Sequence, residues 1–365
     1  MASKVDSKLG TFGGVYTPSL LTILGVIMYL RLPMIVGSSE MITSLLLILA
    51  AHVVAVCTGL SIASIATDRN VGAGGPYSIV SRSLGLPIGG TLGLALFLGL
   101  CLSISLCVIG FSESFLSTIG VDATNTTALR MCGTATLVLL TIITFISTSL
   151  AIKTQYLIFA AIGISLLAVF TGSPDRLPVL EITDAQRAAP LPDTFVLFGI
   201  FFPAVTGFTA GVNMSGDLRS PKQSIPRGTM AAIFTGMAVY LSLAIFLKSR
   251  VPDEQLRFNP RVLEDLAYFS PAVTAGIWGA TVSGALGFIL GARRILQTIS
   301  ADGITPRWFA RADGKTNEPR NALLLAFAIG EAGILIADLD AIAQVVSIVF
   351  MTMYGFLNLA AAIES

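Results

Sequence analysis

Two long apolar stretches of this chain combine helix-breaking residues with oxygen ligands. The first reads Gly13-Gly14-Val15-Tyr16-Thr17-Pro18-Ser19-Leu20-Leu21-Thr22-Ile23-Leu24-Gly25-Val26-Ile27, and the second Phe201-Phe202-Pro203-Ala204-Val205-Thr206-Gly207-Phe208-Thr209-Ala210-Gly211. Pro18 and Pro203 lack the amide proton that a continuous helix needs, and Gly25 and Gly207 tolerate a departure from helical geometry. An interrupted helix exposes main-chain groups of two kinds. Carbonyls at the end of the leading half suit a cation, and amides at the start of the trailing half suit an anion. The carbonyls fall at Leu21–Ile23, and the amides at Gly25–Ile27. In the second stretch, Pro203 and Thr206 offer carbonyl and hydroxyl oxygens, followed by amides at Gly207–Thr209. Neither interruption carries Asp, Glu, Lys or Arg. A neutral site holds a lone ion poorly, because desolvation then goes uncompensated. A cation and an anion bound side by side supply each other's countercharge, which points to electroneutral cotransport.

The elements that hold these stretches follow from composition. Hydrophobic residues make up 54% of the 365, and charged residues 12%, against about 25% charged in soluble domains; the mean hydropathy is +0.83. So few charges cannot cover a water-exposed surface, so lipid is the solvent and the spanning helix of roughly 20 residues is the structural unit. Ten spanning segments are expected, at 12–37, 41–66, 87–113, 131–150, 155–171, 194–213, 229–247, 271–292, 321–337 and 341–361. Long apolar runs favour helices over barrel strands. Ten segments divide into two inverted sets of five, and such carriers place their sites where the first helix of each half is broken. The two interruptions lie in segments 1 and 6. The expectation is an all-α, ten-helix 5+5 inverted-repeat core: a tail at 1–10, a first repeat at 11–171, a linker at 172–193 and a second repeat at 194–365. A cytoplasmic N-terminus places most of the 22 Lys and Arg residues inside, as the positive-inside rule requires.

Three motifs carry a family resemblance: Gly14-Val15-Tyr16 through Leu32; Gly74-Gly75-Pro76-Tyr77-Ser78-Ile79-Val80-Ser81-Arg82-Ser83-Leu84-Gly85; and Phe201-Phe202-Pro203 through Gly216-Asp217-Leu218 to Ser224-Ile225-Pro226. Together they resemble the cation-chloride cotransporter family of the amino acid–polyamine–organocation superfamily, from about Gly10 to the end of the chain. The resemblance implies a potassium site at Thr22, Ile23, Tyr77, Pro203 and Thr206. It implies chloride at Gly25, Val26 and Ile27, and again at Gly207, Phe208 and Thr209 with Tyr354. Thr22 stands where the family usually has Asn, and Leu24 where many members are aromatic. Sodium-dependent members carry two adjacent serines on helix 8, but the matching positions here are Ser283 and Gly284. A vestigial sodium site would comprise Leu21, Leu24, Ala280, Ser283 and Gly284. The reading is potassium-chloride symport, with sodium-potassium-chloride symport and amino-acid transport as alternatives. The bulk of Ile23-Leu24-Gly25-Val26-Ile27 argues against an amino-acid substrate. Members of that family carry two further helices and a C-terminal domain that supports a homodimer, whereas this sequence covers the ten-helix core.

Other residues have plainer readings. Cys57, Cys101, Cys107 and Cys132 lie in or beside apolar segments and lack metal-ligand spacing. His52 in segment 2 is read as a histidine satisfied by a neighbouring helix rather than a proton relay, and Glu331 in segment 9 as serving a pathway, pairing with another helix or facing a partner subunit. Arg31 is an entrance charge or an interfacial anchor, and Glu113 is expected to reach water. Asp217, Arg219, Lys222 and Arg227 form a topogenic or gating cluster. Asn125-Thr126-Thr127 is a glycosylation sequon in a loop expected outside. No nucleotide loop, zinc spacing or nucleophile elbow appears, so the chain is not read as an enzyme; no cofactor or nucleic acid is expected. Its partners are the bilayer of the cell membrane and the transported ions K+, Cl− and, in the alternative, Na+.

Overall fold

A computed structural model describes residues 9–68, 74–122, 125–146, 148–213, 218–311 and 319–364. Its regular elements are helical. After a π-helical turn (Phe12–Tyr16), the first segment divides into α1 (Thr17–Ile23), α2 (Val26–Leu30) and α3 (Leu32–Gly37). α4 (Met41–Asp68), α5 (Pro76–Ser83), α6 (Leu86–Thr118), α7 (Thr126–Ile146), α8 (Thr148–Phe170) and a short α9 (Asp184–Ala188) follow. The second interrupted segment is α10 (Thr194–Phe201), a 3-10 stretch (Phe202–Phe208) and α11 (Thr209–Asn213). The chain continues through α12 (Pro221–Arg250), α13 (Asp253–Phe258), α14 (Val262–Leu266), α15 (Ser270–Ala301), α16 (Arg320–Ile336) and α17 (Leu339–Glu364).

Eight described stretches are long and apolar enough to cross a bilayer: Phe12–Leu30, Met41–Thr67, Leu86–Thr118, Thr126–Phe145, Thr194–Val212, Pro221–Arg250, Ser270–Ala301 and Leu339–Ile363. The two other expected segments correspond to the shorter apolar run Thr154–Phe170 and to α16. Several helices outrun their expected bounds. α12 begins eight residues early because Pro221 occupies its first turn, where a missing amide is harmless, and it carries Pro226 inside. α15 runs on past Arg293 and Arg294 to Ala301. α5, unforeseen as a separate helix, opens with Pro76 after Gly74 and Gly75, which both have positive φ.

Burial sorts these helices into a centre and a shell. The Phe12–Leu30 stretch is 83% buried, Leu86–Thr118 78% and Thr194–Val212 72%, against 33% for Thr126–Phe145. The interrupted segments therefore form the core together with α6, with α1 packed directly on the 3-10 stretch and on α12 and α15. Around them, Ile42, Leu46, Val53, Leu139, Ile142, Ile348 and Leu359 point outward from α4, α7 and α17. An apolar belt of this kind is stable only against hydrocarbon, where irregular backbone survives solely at the protein interior. The fold thus confines both interruptions to the one region where they are tolerated.

Candidate functional site at two helix interruptions

The first interruption lies where the sequence places it. α1 stops at Ile23, the Leu24 amide makes the last helical bond to Leu20 O at 2.8 Å, and Leu24 then turns to φ −82°, ψ 47°. Gly25 follows at φ −97°, ψ −149°, and α2 restarts at Val26. A Cβ on Gly25 would lie 2.9 Å from the Thr22 carbonyl oxygen, so the helix breaks in this geometry only because residue 25 has no side chain. The Thr22 hydroxyl turns back onto Pro18 O, at 2.5 Å, along its own helix. Thr22 therefore offers its main chain, rather than its side chain, to whatever lies beyond α1. The Ile23 carbonyl accepts the Tyr240 hydroxyl at 2.8 Å.

The second interruption is tighter than the sequence suggests. Instead of opening a gap, Phe202–Phe208 winds as a seven-residue 3-10 helix, long for this conformation. Its oxygens find hydroxyl partners. Thr206 Oγ1 donates to Pro203 O at 2.8 Å, and the Tyr354 hydroxyl donates to Thr206 O at 2.8 Å. Thr209 Oγ1 reaches the same Thr206 oxygen at 3.3 Å. The Tyr354 ring lies 5.2 Å from that of Phe208. Ser19 ties the two interruptions together: its hydroxyl donates to Phe208 O at 2.9 Å and accepts the Gly211 amide at 3.2 Å, all buried. Ser19→Ala removes both of these bonds and is expected to cost about 2 kcal/mol. A lowered unfolding temperature of the purified protein measures this loss; an unchanged one would mean that the two segments hold together without the serine.

Between the interruptions lies a small cavity, with about 20 Å³ open to the centre of a water-sized sphere. Thr22, Ile23, Gly25, Val26 and Ile27 line it from the first segment, and Pro203, Ala204 and Thr206 from the second. No charged side chain takes part in its lining. Ser103, Leu106 and Cys107 of α6 and Phe288 of α15 complete the wall, and none of these was assigned to a site from the sequence. The i, i+4 spacing of Ser103 and Cys107 puts both on one helix face, but it does not say which face turns inward.

The remaining candidates are placed as follows. Gly207 backs directly onto Thr22, and Phe208 and Thr209 are buried just beyond it. Gly284 lines the cavity, where an added Cβ would come within 3.0 Å of the Cys107 sulfur. Leu21, Leu24, Ala280 and Ser283 are buried around the cavity without lining it. Tyr77 does not join them. It sits on α5, where its hydroxyl donates to Asp302 Oδ2 at 2.6 Å beyond the end of α15. Burial, followed by the hydrogen bond and charge of Asp302, pushes that hydroxyl well above its ordinary pKa and keeps it a donor. The Gly-Gly-Pro turn is the physical reason: it starts a separate short helix, so Tyr77 precedes the spanning part of α6 rather than belonging to it.

Charged networks lie on opposite faces of the cavity. At the end of α2, the Arg31 guanidinium holds both Glu113 oxygens at 3.1 Å and Asp340 Oδ1 at 2.5 Å. Arg31 is thus a three-helix clamp rather than a lone anchor, and Glu113 is paired rather than simply hydrated. This clamp borders a vestibule of about 510 Å³ shared with Ser117, Arg261 and Glu264. On the opposite face, besides Tyr77 and Asp302, Leu9 pairs with Leu218 as a short parallel bridge, and the Arg219 amide donates to Leu9 O at 2.9 Å. Of the basic cluster expected there, Arg219, Lys222 and Arg227 are exposed, while Asp217 lies outside the described residues. Elsewhere, His52 Nδ1 bonds Ile48 O on its own helix, and Glu331 accepts from Thr134 of α7. Asn125 accepts the Thr127 and Ala128 amides at the start of α7.

Comparison with known proteins agrees with this architecture. Residues 14–361 match the model of the amino acid permease family. The chain is 32% identical to human (Homo sapiens) solute carrier family 12 member 1, over 96% of this chain and 37% of that protein. It is also 32% identical to human solute carrier family 12 member 2, over 98% and 34%, and 31% identical to solute carrier family 12 member 8 of Mus musculus, over 94% and 50%. The chain therefore spans between about a third and a half of the length of these relatives. The interrupted helices, the apolar shell and these similarities lead to one placement: the chain belongs to the amino acid permease family of membrane transporters, similar within it to solute carrier family 12, in agreement with the cation-chloride cotransporter resemblance of its motifs.

Proposed function

We propose that this chain is a secondary active transporter carrying potassium and chloride together by alternating access. The observation that carries the reading is the cavity itself. Its volume of about 20 Å³ has room for one or two waters or a bare monovalent ion, not for an amino acid. It contains no formal charge, yet it is bounded by the carbonyl end of α1 and the amide start of α2. The potassium position is the Thr22 and Ile23 main chain, facing Pro203 and Thr206. Chloride is assigned to the amides of Gly25–Ile27, and a second chloride to Gly207–Thr209 beside Tyr354. Opposite charges moving together leave no net charge buried in hydrocarbon, which meets the desolvation penalty that a neutral site would impose on either ion alone.

Alternating access requires one face to seal while the other opens. The Arg31–Glu113–Asp340 clamp serves the face read as external, and the Tyr77–Asp302 and Leu9–Leu218 contacts serve the face read as cytoplasmic. Sodium coupling is disfavoured because Gly284 offers no hydroxyl and the Cys107 sulfur crowds the space a side chain there would need. The test is rubidium uptake into proteoliposomes, with chloride and sodium varied independently. Uptake that needs chloride but not sodium is expected. Chloride-independent uptake overturns cotransport, and uptake of a labelled amino acid instead of rubidium establishes the alternative suggested by the family description.

A further inference from the structure

We propose that Tyr240 is a positioning residue of the cation site: its hydroxyl is the built-in partner of the Ile23 carbonyl, holding that oxygen whenever no cation does. The inference rests on the potassium-chloride reading above. Ile23 is the last residue of α1 and part of the cavity wall. Tyr240 does not line the cavity; its hydroxyl reaches the Ile23 carbonyl from α12, at 2.8 Å and across 217 residues of sequence. The ring is fully buried, edge-on to Phe201 at 5.2 Å and beside His52 at 5.9 Å. His52 is itself fixed by its bond to Ile48 O at 2.8 Å. One turn earlier on α12, a Cβ on Gly236 would come within 2.5 Å of the Ile23 side chain. α12 therefore grips one residue at two points: it makes room for the Ile23 side chain at Gly236 and secures the carbonyl at Tyr240.

The carrier must return with its site unloaded, and the Ile23 carbonyl then has no cation as a partner. The Tyr240 hydroxyl satisfies Ile23 O through that part of the cycle. A cation arriving from the cavity shares the oxygen with the phenolic proton, whose partial positive charge opposes it. Tyr240 thereby weakens cation binding and assists release. Without the hydroxyl, no phenolic proton competes with the cation for that oxygen.

The test is Tyr240→Phe in proteoliposomes. The half-saturating rubidium concentration is expected to fall about 3- to 10-fold, and the maximal rate to fall by a similar factor because release slows. The half-saturating chloride concentration, measured at saturating rubidium, stays at the wild-type value. A residue that merely packs the core would do the opposite, raising the rubidium requirement as the rate falls. Either that pattern or an unshifted rubidium requirement overturns the proposal. Incorporating 3,5-difluorotyrosine at position 240 keeps the ring and makes the hydroxyl a stronger donor, so it is expected to raise the rubidium requirement. This second variant decides the matter if the phenylalanine protein does not fold. The wild-type control separates the two levels of inference. Chloride-independent wild-type uptake removes the transport reading and this role with it, whereas normal wild-type uptake with an unshifted variant removes only the role of Tyr240.

Discussion

Gly207→Ala is expected to abolish most chloride-dependent rubidium uptake while the protein still reaches the membrane. A Cβ at this position would lie 2.5 Å from the Thr22 Cβ, 2.7 Å from the Thr22 carbonyl carbon and 2.9 Å from the Ile23 nitrogen. Two of these three atoms are backbone, so no side-chain rotation relieves the clash. The 3-10 stretch and the end of α1 must separate, at a cost of about 1–3 kcal/mol in packing. The effect on transport is larger, because the same displacement moves Thr22 and Ile23 away from Pro203 and Thr206 around a cavity sized for an ion. A positional error of about 1 Å at a reacting or binding centre typically costs on the order of a hundredfold. The appropriate control is Gly163→Ala on the lipid-facing side of α8, where an added Cβ meets nothing within 4 Å; it is expected to transport normally. Wild-type uptake by the Gly207 variant would show that direct contact between the interruptions is dispensable.

The second large effect is expected at Arg31. Its guanidinium is bidentate on Glu113 and bonded through Nε to Asp340, with side-chain exposures of 17%, 21% and 38% for Arg31, Glu113 and Asp340. Arg31→Gln leaves two carboxylates facing each other with no cation between them. Removing one partner from a fully buried pair costs about 3–5 kcal/mol. Water at Asp340 screens part of that, so about 1–3 kcal/mol is expected here. Transport is expected to suffer more than stability, because α2, α6 and α17 lose the guanidinium that ties them together beside the vestibule. Glu113→Gln combined with Arg31→Gln removes one of the stranded charges and is expected to recover part of the stability but little of the uptake. A double-mutant cycle on unfolding temperature and uptake rate separates the two. Equal recovery of both would mean that the clamp is a structural ion pair and not a gate.

The legible and illegible parts of the site differ for physical reasons. Both interruptions could be placed from local chemistry, since Pro203, Gly25 and Gly207 act on their own backbone whatever surrounds them. The sign of each exposed group followed from helix polarity, again a local property. Tyr77 rests on motif resemblance alone, and the Gly74-Gly75-Pro76 turn sets it on α5, where it faces Asp302 rather than the cavity. Tyr240 and Ser19 went unnoticed because one tyrosine or serine in an apolar helix carries no mark of what it will meet. The charges of Arg31, Glu113 and Asp340 were visible, but their convergence from three helices was not.

From the sequence alone came the membrane setting, the helical class, the two interruptions and the absence of charge at either. These depend on composition and on bonds within a few residues of one another. The tertiary structure alone decided that the interruptions touch, that their cavity is ion-sized, that α6 and α15 complete its wall, and that hydroxyls from α12 and α17 hold the exposed carbonyls. Those features join groups as much as 217 residues apart, and only the packing of whole helices sets their distances.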